Sequence, residues 1–486
     1  MSLLLVTYLT LIIVITYKIV LVVYNYIETI RVARKVPGFE DTRFIQGDLW
    51  MDSYDDYLKK SLDFVQTTGV KMHKIWVYFF YPVYCLSHPD TAKVILKSSL
   101  PKDLSIGSNY HILKTWTGNG ILTNAGGSVW KRHRRLLSLA YHFDILHNYV
   151  IKFNTVAEEL LIRLSQCRDT SIEICQPVYM ATVDASLQCA FSYHGGIQNS
   201  GLDHPYVAAI HELTNYCFQR MSNPLLYPDF IFERTRMGKR FHLLCKYIHR
   251  FVDGIIKARG HTALQEPDFL DILMTTQDEN GVGLNDTEIR DEVKTFLFAG
   301  HNTVSSAISW SIYLLGKYPE IQENIYEEVI GIVGTANVKW DHLSKMTCLN
   351  CFIKEVLRMY SIVPVIRRTL ETEVTIENVT LPSGATVEIN IHTINHNSVL
   401  WPDHQDFRPE RFLDATLEKD PFSFIPFSAG SRNCIGKNFA LNELKVILSR
   451  IVQTFRIELD RSHKVIQETK LVRTPKTGIK VYLHSR

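Results

Sequence analysis

The amino-acid sequence predicts a mainly helical protein with a small β-rich lobe and a single N-terminal transmembrane helix. Residues 3–27 are almost continuously apolar, residues 76–86 are rich in aromatic and β-branched side chains, and residues 285–318 hold a helical pattern without proline. The 486 residues are 46% hydrophobic with a net charge of +3, which allows a large core and does not suggest a nucleic-acid partner. Because no repeat or long Pro/Gly/Ser-rich linker divides the chain, we expect one large domain.

The N-terminal stretch, residues 3–27, is long enough to cross a bilayer, since a spanning helix needs about 20 apolar residues. Its one charged residue, Lys18, can reach the interface by snorkelling. Basic residues follow this stretch and none precedes it, so the positive-inside rule places the rest of the chain in the cytosol. A cleaved signal peptide is the alternative, but it requires a basic start and a small-residue cleavage site. We expect an anchor over 1–30, a basic, Pro/Gly-containing hinge over 31–40 and the globular domain over 41–486.

A glycine-punctuated loop ends at Cys434, directly before a helical pattern. The unpaired N–H groups and the positive dipole of a helix N-terminus stabilise a thiolate, and Arg432 adds a positive charge nearby. Gly430 and Gly436 permit tight turns and the approach of a large flat group, while Phe427 would keep water from the sulfur. A lone cysteine before a helix is usually buried and inert, so an interpretation as a metal ligand depends on the full spacing.

The long helical pattern begins with Asn285 and Glu288, which have the spacing of a capping pair, and predicts a helix of about thirty residues. Gly300 in its middle costs about 1 kcal/mol relative to alanine, which invites a functional explanation. Ala299 and Thr303 share one face of this helix, so small side chains could open space there while a hydroxyl interrupts the backbone hydrogen bonds. Ordinary core packing is the alternative for the same residues.

Three further segments carry weaker signals. The basic stretch from Trp130 to Arg134 could be a solvated helix face. Glu355 and Arg358 lie at i,i+3, where an exposed pair contributes only about 0.2–0.5 kcal/mol. Residues 219–234 are too apolar for an exposed loop and too interrupted by proline for one regular helix, which is compatible with a buried connection.

The loop spacing as a whole resembles a known family. Phe427, Gly430, Arg432, Cys434 and Gly436 match, place for place, the haem-binding loop of the cytochrome P-450 superfamily, which the chain resembles over about residues 36–485. The resemblance implies the cytochrome P-450 fold. It also implies haem b, bound non-covalently apart from the ligation of iron by Cys434.

The resemblance assigns roles to further residues. Trp130, Arg134 and Arg368 match positions that bind haem propionates. Ala299 and Gly300 belong to the family's oxygen-binding groove, in which Thr303 helps to deliver protons. The structural cluster that locks the haem-side loop corresponds to Glu355, Arg358 and Arg411.

The long helix is most similar to family 4, the fatty-acid omega-hydroxylases, but departs from it at two positions. Many members carry glutamate where this chain has Ala299, and aspartate where it has Asn302. An ester between residue 299 and a haem methyl is therefore not expected. The catalytic pair implied for proton delivery is Thr303 with Asn302, in which an amide replaces the usual acid.

The function implied by the resemblance is a membrane-bound haem-thiolate monooxygenase of the endoplasmic reticulum with its catalytic domain in the cytosol. It would hydroxylate a lipophilic substrate, a fatty acid, with dioxygen and electrons from an NADPH-dependent flavoprotein reductase, with cytochrome b5 as a further partner. Residues 219–234 would then roof the substrate cavity and touch the membrane. Two alternatives stay open: a haem-thiolate isomerase or dehydratase of lipid peroxides, and a non-catalytic haem carrier or sensor.

Overall fold

Helices dominate the chain, as the sequence predicts. A computed structural model describes residues 2–39, 48, 53–77, 81–167, 170–260, 267–413 and 420–486. The predicted boundary between residues 40 and 41 lies outside the described residues. Short 3₁₀ helices cover Leu139–Tyr141, Gly201–Asp203, Pro224–Leu226, Trp340–His342 and Pro409–Phe412. The α-helices are Ser2–Ala33 (α1), Tyr54–Thr68 (α2), Pro89–Leu96 (α3), Asn109–Thr117 (α4), Gly127–Ser138 (α5), Phe143–Ser165 (α6), Cys175–Phe191 (α7), Ile197–Ser200 (α8), Pro205–Met221 (α9), Asp229–Phe232 (α10), Arg236–Arg259 (α11), Phe269–Thr275 (α12), Asp286–Lys317 (α13), Pro319–Val333 (α14), Thr347–Tyr360 (α15), Ile391–His396 (α16) and Lys437–Thr454 (α17).

The strands form a small lobe and a few ribbons. The strands are Met72–Val77 (β1), Tyr81–Leu86 (β2), Ile172–Glu173 (β3), Val365–Thr369 (β4), Val374–Ile376 (β5), Val379–Leu381 (β6), Thr386–Asn390 (β7), Phe455–Leu459 (β8), Gln467–Thr469 (β9), Arg473–Pro475 (β10) and Lys480–Ser485 (β11). In the main sheet the strand order is β1-β2-β7-β4, with β2 and β7 parallel and the other neighbours antiparallel. A second sheet has the order β3-β11-β8, and two-stranded sheets pair β5 with β6 and β9 with β10.

Helix α1 contains the predicted membrane anchor. Its segment Leu5–Ala33 has a mean hydropathy of 2.3, and its most apolar stretch is not buried in the protein, whereas Ala33 at the end is. Among the described helices, this is the one long and apolar enough to cross a bilayer. The predicted hinge packs against the sheet lobe: Val36 and Phe39 are buried there, and Lys74 N–H donates to the carbonyl of Pro37 at 2.8 Å.

Helix α13 is the central helix of the larger lobe and begins where its sequence predicts. The Asn285 side chain caps the backbone N–H groups of Thr287 and Glu288, and the Glu288 carboxylate returns to the N–H of Asn285, which completes a capping box. The helix packs mainly against α7. Where they face each other, a Cβ on Gly300 would lie 3.1 Å from Oγ of Ser186. Glycine at position 300 therefore has a packing role in addition to the groove predicted for it.

Candidate active site

A mainly apolar cavity of about 290 Å³ lies between the helical core and the sheet lobe. Apolar side chains from α5, α13, α17 and the loops before β4 and α17 form most of its wall. Polar groups also reach it, and one of them is the Cys434 sulfur. Of the residues predicted for the site, those that line the cavity are Trp130, Arg134, Ala299, Gly300, Thr303, Phe427, Arg432, Cys434 and Gly436.

The loop before α17 holds Cys434 by backbone contacts. The Cys434 N–H donates to the carbonyl of Phe427 at 2.8 Å, which closes the loop. Gly430 has a φ of +72°, and a Cβ there would lie 1.7 Å from the carbonyl oxygen of Leu96 at the end of α3. Glycine is thus required at position 430 by backbone conformation and by packing against α3. Gly436 has a φ of −85°, so its turn does not require glycine, contrary to the sequence argument.

The electrostatic surroundings of the sulfur differ from the sequence-based expectation. The Cys434 side chain is exposed to the cavity. Desolvation by the surrounding protein still raises the pKa of its thiol, and the Gly436 N–H and the Arg134 guanidinium act in the opposite direction. The nearby positive charge expected from Arg432 is therefore supplied mainly by Arg134. Because a coordinated thiol loses its proton to the charge of the metal, ligation itself can provide the thiolate that the helix terminus does not.

One end of the cavity collects cations that have no acidic partner. Lys102 Nζ lies 3.2 Å from the Tyr110 hydroxyl, and the Arg432 guanidinium stacks on the Trp130 ring at 4.2 Å. Arg368 is 2% exposed and one terminal nitrogen, Nη2, has no hydrogen-bond partner. In the described part of the chain, none of the three cations forms an ion pair with a carboxylate. Burial lowers the pKa of all three, Arg432 to about 10.

This end of the cavity has the chemistry to hold a dianion such as the two propionates of haem, because buried cations require compensating negative charge. The structure changes the predicted order of contacts. Arg368 does not line the cavity; its backbone pairs with Lys102, which does. The sequence argument missed Lys102 and Tyr110, since neither carries a local pattern that separates it from a surface residue.

Helix α5 carries Arg134 and is tied to both neighbouring elements. Arg134 donates to the carbonyl and to the side-chain oxygen of Asn433, at 2.9 and 2.6 Å. The preceding residue, His133, is 2% exposed and contacts Glu292 of α13 at 2.7 Å and Glu288 at 3.2 Å. Helix α5 is therefore joined to the cysteine loop on one side and to α13 on the other.

The two residues proposed for proton delivery face different surroundings. Thr303 lines the cavity, and its hydroxyl donates to the carbonyl of Ala299 at 3.1 Å. Helix α13 is continuous through this position, so the expected interruption of the backbone hydrogen bonds is not seen. The Asn302 side chain turns back along α13, where Nδ2 lies 3.4 Å from the carbonyl of Phe298. Asn302 does not line the cavity. The structure brings Thr303, Ala299 and Gly300 together at the cavity and leaves Asn302 beside them.

The predicted structural cluster is assembled and buried. The Glu355 carboxylate accepts from Arg358 twice at 2.8 Å and from Nε of Arg411 at 3.0 Å. It also accepts the backbone N–H of Arg408 at 2.9 Å. The two guanidiniums donate onward to backbone carbonyls, and these acceptors are Asn395, Pro402, Asp403, His404 and Asp406. An exposed surface pair, the common reading of i,i+3 spacing, is excluded.

Comparison with known proteins decides the family. The sequence model of cytochrome P450 matches residues 42–482. The chain belongs to the cytochrome P450 family. Cytochrome P450 4A24 of Sus scrofa is 36% identical over 81% of this chain and 80% of its own length. Cytochrome P450 4A11 of Homo sapiens is 38% identical over 82% of this chain and 79% of its own length. Taurochenodeoxycholic 6 alpha-hydroxylase of Sus scrofa is 36% identical over 81% of this chain and 80% of its own length.

Family membership fixes the class of chemistry. Cytochromes P450 are monooxygenases that use haem with cysteine-ligated iron, so this P450 is an oxidoreductase of that kind. It requires a redox partner and a lipophilic substrate. The likeness to family 4 predicted from α13 and the cysteine loop agrees with the relatives, which are family 4 members.

Proposed function

We propose that this P450 hydroxylates a fatty acid with electrons from an NADPH-dependent flavoprotein reductase. The observation that carries the proposal is an apolar cavity with the Cys434 sulfur and the Thr303 hydroxyl on its wall. The relatives support the substrate class because they belong to family 4. Asn302, which favours the isomerase or dehydratase alternative, lies off the cavity, whereas Thr303 lies on it.

Each residue of the site has a role that its position supports. Cys434 would hold the haem iron, and haem ligated in this way supplies the activation of dioxygen. Lys102, Arg432 and Arg134 would pair with the propionates at the cationic end of the cavity. Thr303 presents a hydroxyl, which can both give and accept a proton, at the apolar wall. The surrounding apolar side chains exclude water from the substrate.

The segment between α9 and α11 supports entry of the substrate from the membrane. Leu225, Phe230 and Ile231 there are 75, 64 and 37% exposed. The segment keeps its shape because the buried Arg220 donates to the Leu226 carbonyl at 2.9 Å and to the Asp229 carboxylate at 2.6 Å. An apolar tip held in this way can insert between lipid headgroups. Together with α1, it supports attachment to the endoplasmic reticulum membrane, with the P450 domain in the cytosol.

The exposed face of α5 and the start of α17 support docking of an acidic partner. Lys131 and Lys437 are exposed there, close in sequence to residues that line the cavity. Arg135 is exposed as well but pairs with Glu279 at 2.8 Å. Exposed cations of one sign steer an oppositely charged protein to the surface. We assign this face to the flavoprotein reductase, and cytochrome b5 would compete for the same cations.

The proposal is tested by product analysis with the purified full-length protein, reductase and NADPH. Oxidised product from saturated fatty acids, formed only with both reductase and NADPH, is expected. Sterols and bile acids belong in the panel because one relative is named for the hydroxylation of a bile acid. Product from a lipid hydroperoxide without NADPH would favour the isomerase or dehydratase, and haem binding without turnover would favour the carrier or sensor.

The membrane part of the proposal has its own test. We propose that residues 1–30 are the anchor, 31–40 the connection and 41–486 the catalytic domain. A variant without residues 1–30 is expected to bind haem and to leave membranes in high salt or mild detergent. If it stays in the membrane under both treatments, attachment depends on a second segment, and the exposed tip at Leu225 and Phe230 is the first to be substituted.

A further inference from the structure

The residue directly before the cysteine ligand makes two contacts with one guanidinium. Asn433 lines the cavity, and its backbone carbonyl accepts from Nη1 of Arg134 at 2.9 Å. Its side-chain oxygen Oδ1 accepts from Nη2 of the same group at 2.6 Å. The two terminal nitrogens of Arg134 are thus bound by two oxygens of one residue, which fixes the plane of the guanidinium as a fork-to-fork contact does.

Asn433 can impose a position on Arg134 because the loop holds Asn433 firmly. The Asn433 N–H donates to the carbonyl of Gly430 at 3.2 Å, and the next N–H, that of Cys434, donates to Phe427 at 2.8 Å. Arginine side chains lose substantial rotamer freedom when they are fixed. With the backbone contact alone, the guanidinium could turn about a single point. The contact with Oδ1 removes that freedom.

Arg134 occupies a place where its orientation matters. It lines the cavity and is half-buried. Its bonds to Asn433 also join α5 to the cysteine loop, beside the stacking of Arg432 on Trp130. A guanidinium presented edge-on can donate hydrogen bonds to a carboxylate of the cofactor while it remains bound to the loop. One that turns away would disturb both contacts together.

We propose that Asn433 is a positioning residue, which fixes the orientation of Arg134 so that α5 and the cysteine loop bind the haem together. The proposal rests on the proposed haem-thiolate function. It assigns no chemistry to the amide beyond its acceptor oxygen. Any side chain that presents an oxygen at the position of Oδ1 should therefore replace it, and a side chain without one should not.

The test uses the full-length holoprotein and measures the rate of haem transfer to an excess of apomyoglobin. Asn433→Ala removes the acceptor, and we expect transfer about tenfold faster, as for the loss of one hydrogen bond to a charged group. Asn433→Asp keeps an oxygen acceptor and should stay within about threefold of wild type. The matched control is Asn438→Ala, because Asn438 is an exposed asparagine near the same loop with no side-chain hydrogen bond to a described residue. Its transfer rate should not change.

A coupling experiment separates positioning from general support of the fold. Lysine at 134 keeps the charge but lacks the two-pronged donor, so Asn433→Ala should have little further effect in the Arg134→Lys background. Transfer as slow in Asn433→Ala as in the Asn438→Ala control would overturn the proposal, as would an undiminished tenfold effect in the Arg134→Lys background. The wild-type ferrous carbon monoxide adduct tests the premise independently. If that adduct shows the red-shifted Soret band of a thiolate ligand, either contradicting result counts against the role of Asn433 alone. If the band is absent, the haem-thiolate function fails as well.

Discussion

Removing the charge of Glu355 is expected to destabilise this P450 severely. In Glu355→Gln the side chain keeps its size, but an NH₂ group replaces one acceptor oxygen among the donors of Arg358 and Arg411. Both arginines are almost fully buried, with 0 and 3% of their side chains exposed. Their other contacts are with backbone carbonyls, the Met359 sulfur and the Trp401 ring, none of which carries a net charge. Two buried cations would therefore lose their shared counter-ion.

The magnitude follows from the burial of the cluster. Breaking a buried ion pair by removing one partner costs about 3–5 kcal/mol, because an uncompensated charge stays in a poorly solvated place. Natural domains are stable by about 5–15 kcal/mol, so this loss is a large share of the total. The matched control is Glu212→Gln. Glu212 accepts two bonds from Arg240 at 2.9 and 3.0 Å, but 54% of that arginine is exposed. An exposed pair contributes about 0.2–1 kcal/mol.

The assay is urea-induced unfolding of the full-length holoprotein, followed by circular dichroism and by the loss of the haem absorption. The midpoint for Glu355→Gln should fall well below that of Glu212→Gln, which should be close to wild type. If the variant is too unstable to purify, its yield of haem-bound protein relative to Glu212→Gln gives the same ranking. A difference between the two variants of less than about 1 kcal/mol would refute the reasoning that burial decides the contribution of these ion pairs.

Three further outcomes are expected. Acidified organic solvent should extract all haem from the wild type, because Ala299 has no carboxylate for an ester; haem left on the denatured chain would contradict this. Product formed per NADPH consumed should rise in Asn302→Asp, since an acid can cycle its proton where an amide cannot, and should fall in Thr303→Ala; unchanged or poorer coupling in Asn302→Asp would mean that the amide already serves the relay. Burial disfavours the charged form of His133, yet its bonds to Glu292 and Glu288 outweigh burial and raise its pKa. The charged form of His133 contributes its full stability below the ordinary histidine pKa of about 6.5, and this contribution is lost as pH rises through the raised pKa. The difference in unfolding free energy between wild type and His133→Gln should therefore shrink over that pH interval. A difference that is constant with pH would exclude a charged histidine at this position.

Features set by neighbouring residues could be predicted from the sequence. The start of α13 follows from Asn285 and Glu288, because a capping box involves only one turn of chain. The paired strands around residues 76–86 were also predicted, although β1 begins earlier, at Met72. The broken connection after α9 consists of short helices interrupted by Pro224 and Pro228, as its sequence indicates.

Contacts between distant residues could not be predicted in the same way. His133 meets Glu292 across 159 positions, and Arg134 meets Asn433 across 299. Such pairs depend on how helices pack, which no local pattern encodes. The same limit explains Gly300: its sequence context indicates an unusual helix, but only packing shows Ser186 of α7 against it. The cluster at Glu355 was expected only through the resemblance to the family.

The cationic end of the cavity links the stability of this P450 to its cofactor. Lys102, Arg368 and Arg432 are buried or half-buried side by side. Arg368 lowers the pKa of both Lys102 and Arg432, and Arg432 lowers the pKa of Lys102. Like charges gathered without a counter-ion destabilise the protein that carries them. A ligand that brings two carboxylates to this place removes that cost, so its binding free energy includes the relief of repulsion and stabilises the fold by mass action. The same charges disfavour a neutral or cationic flat ligand of equal size. The three cations thus favour a dianionic cofactor, because the folded protein is less stable while their repulsion is uncompensated. The apolar remainder of the cavity would hold the substrate.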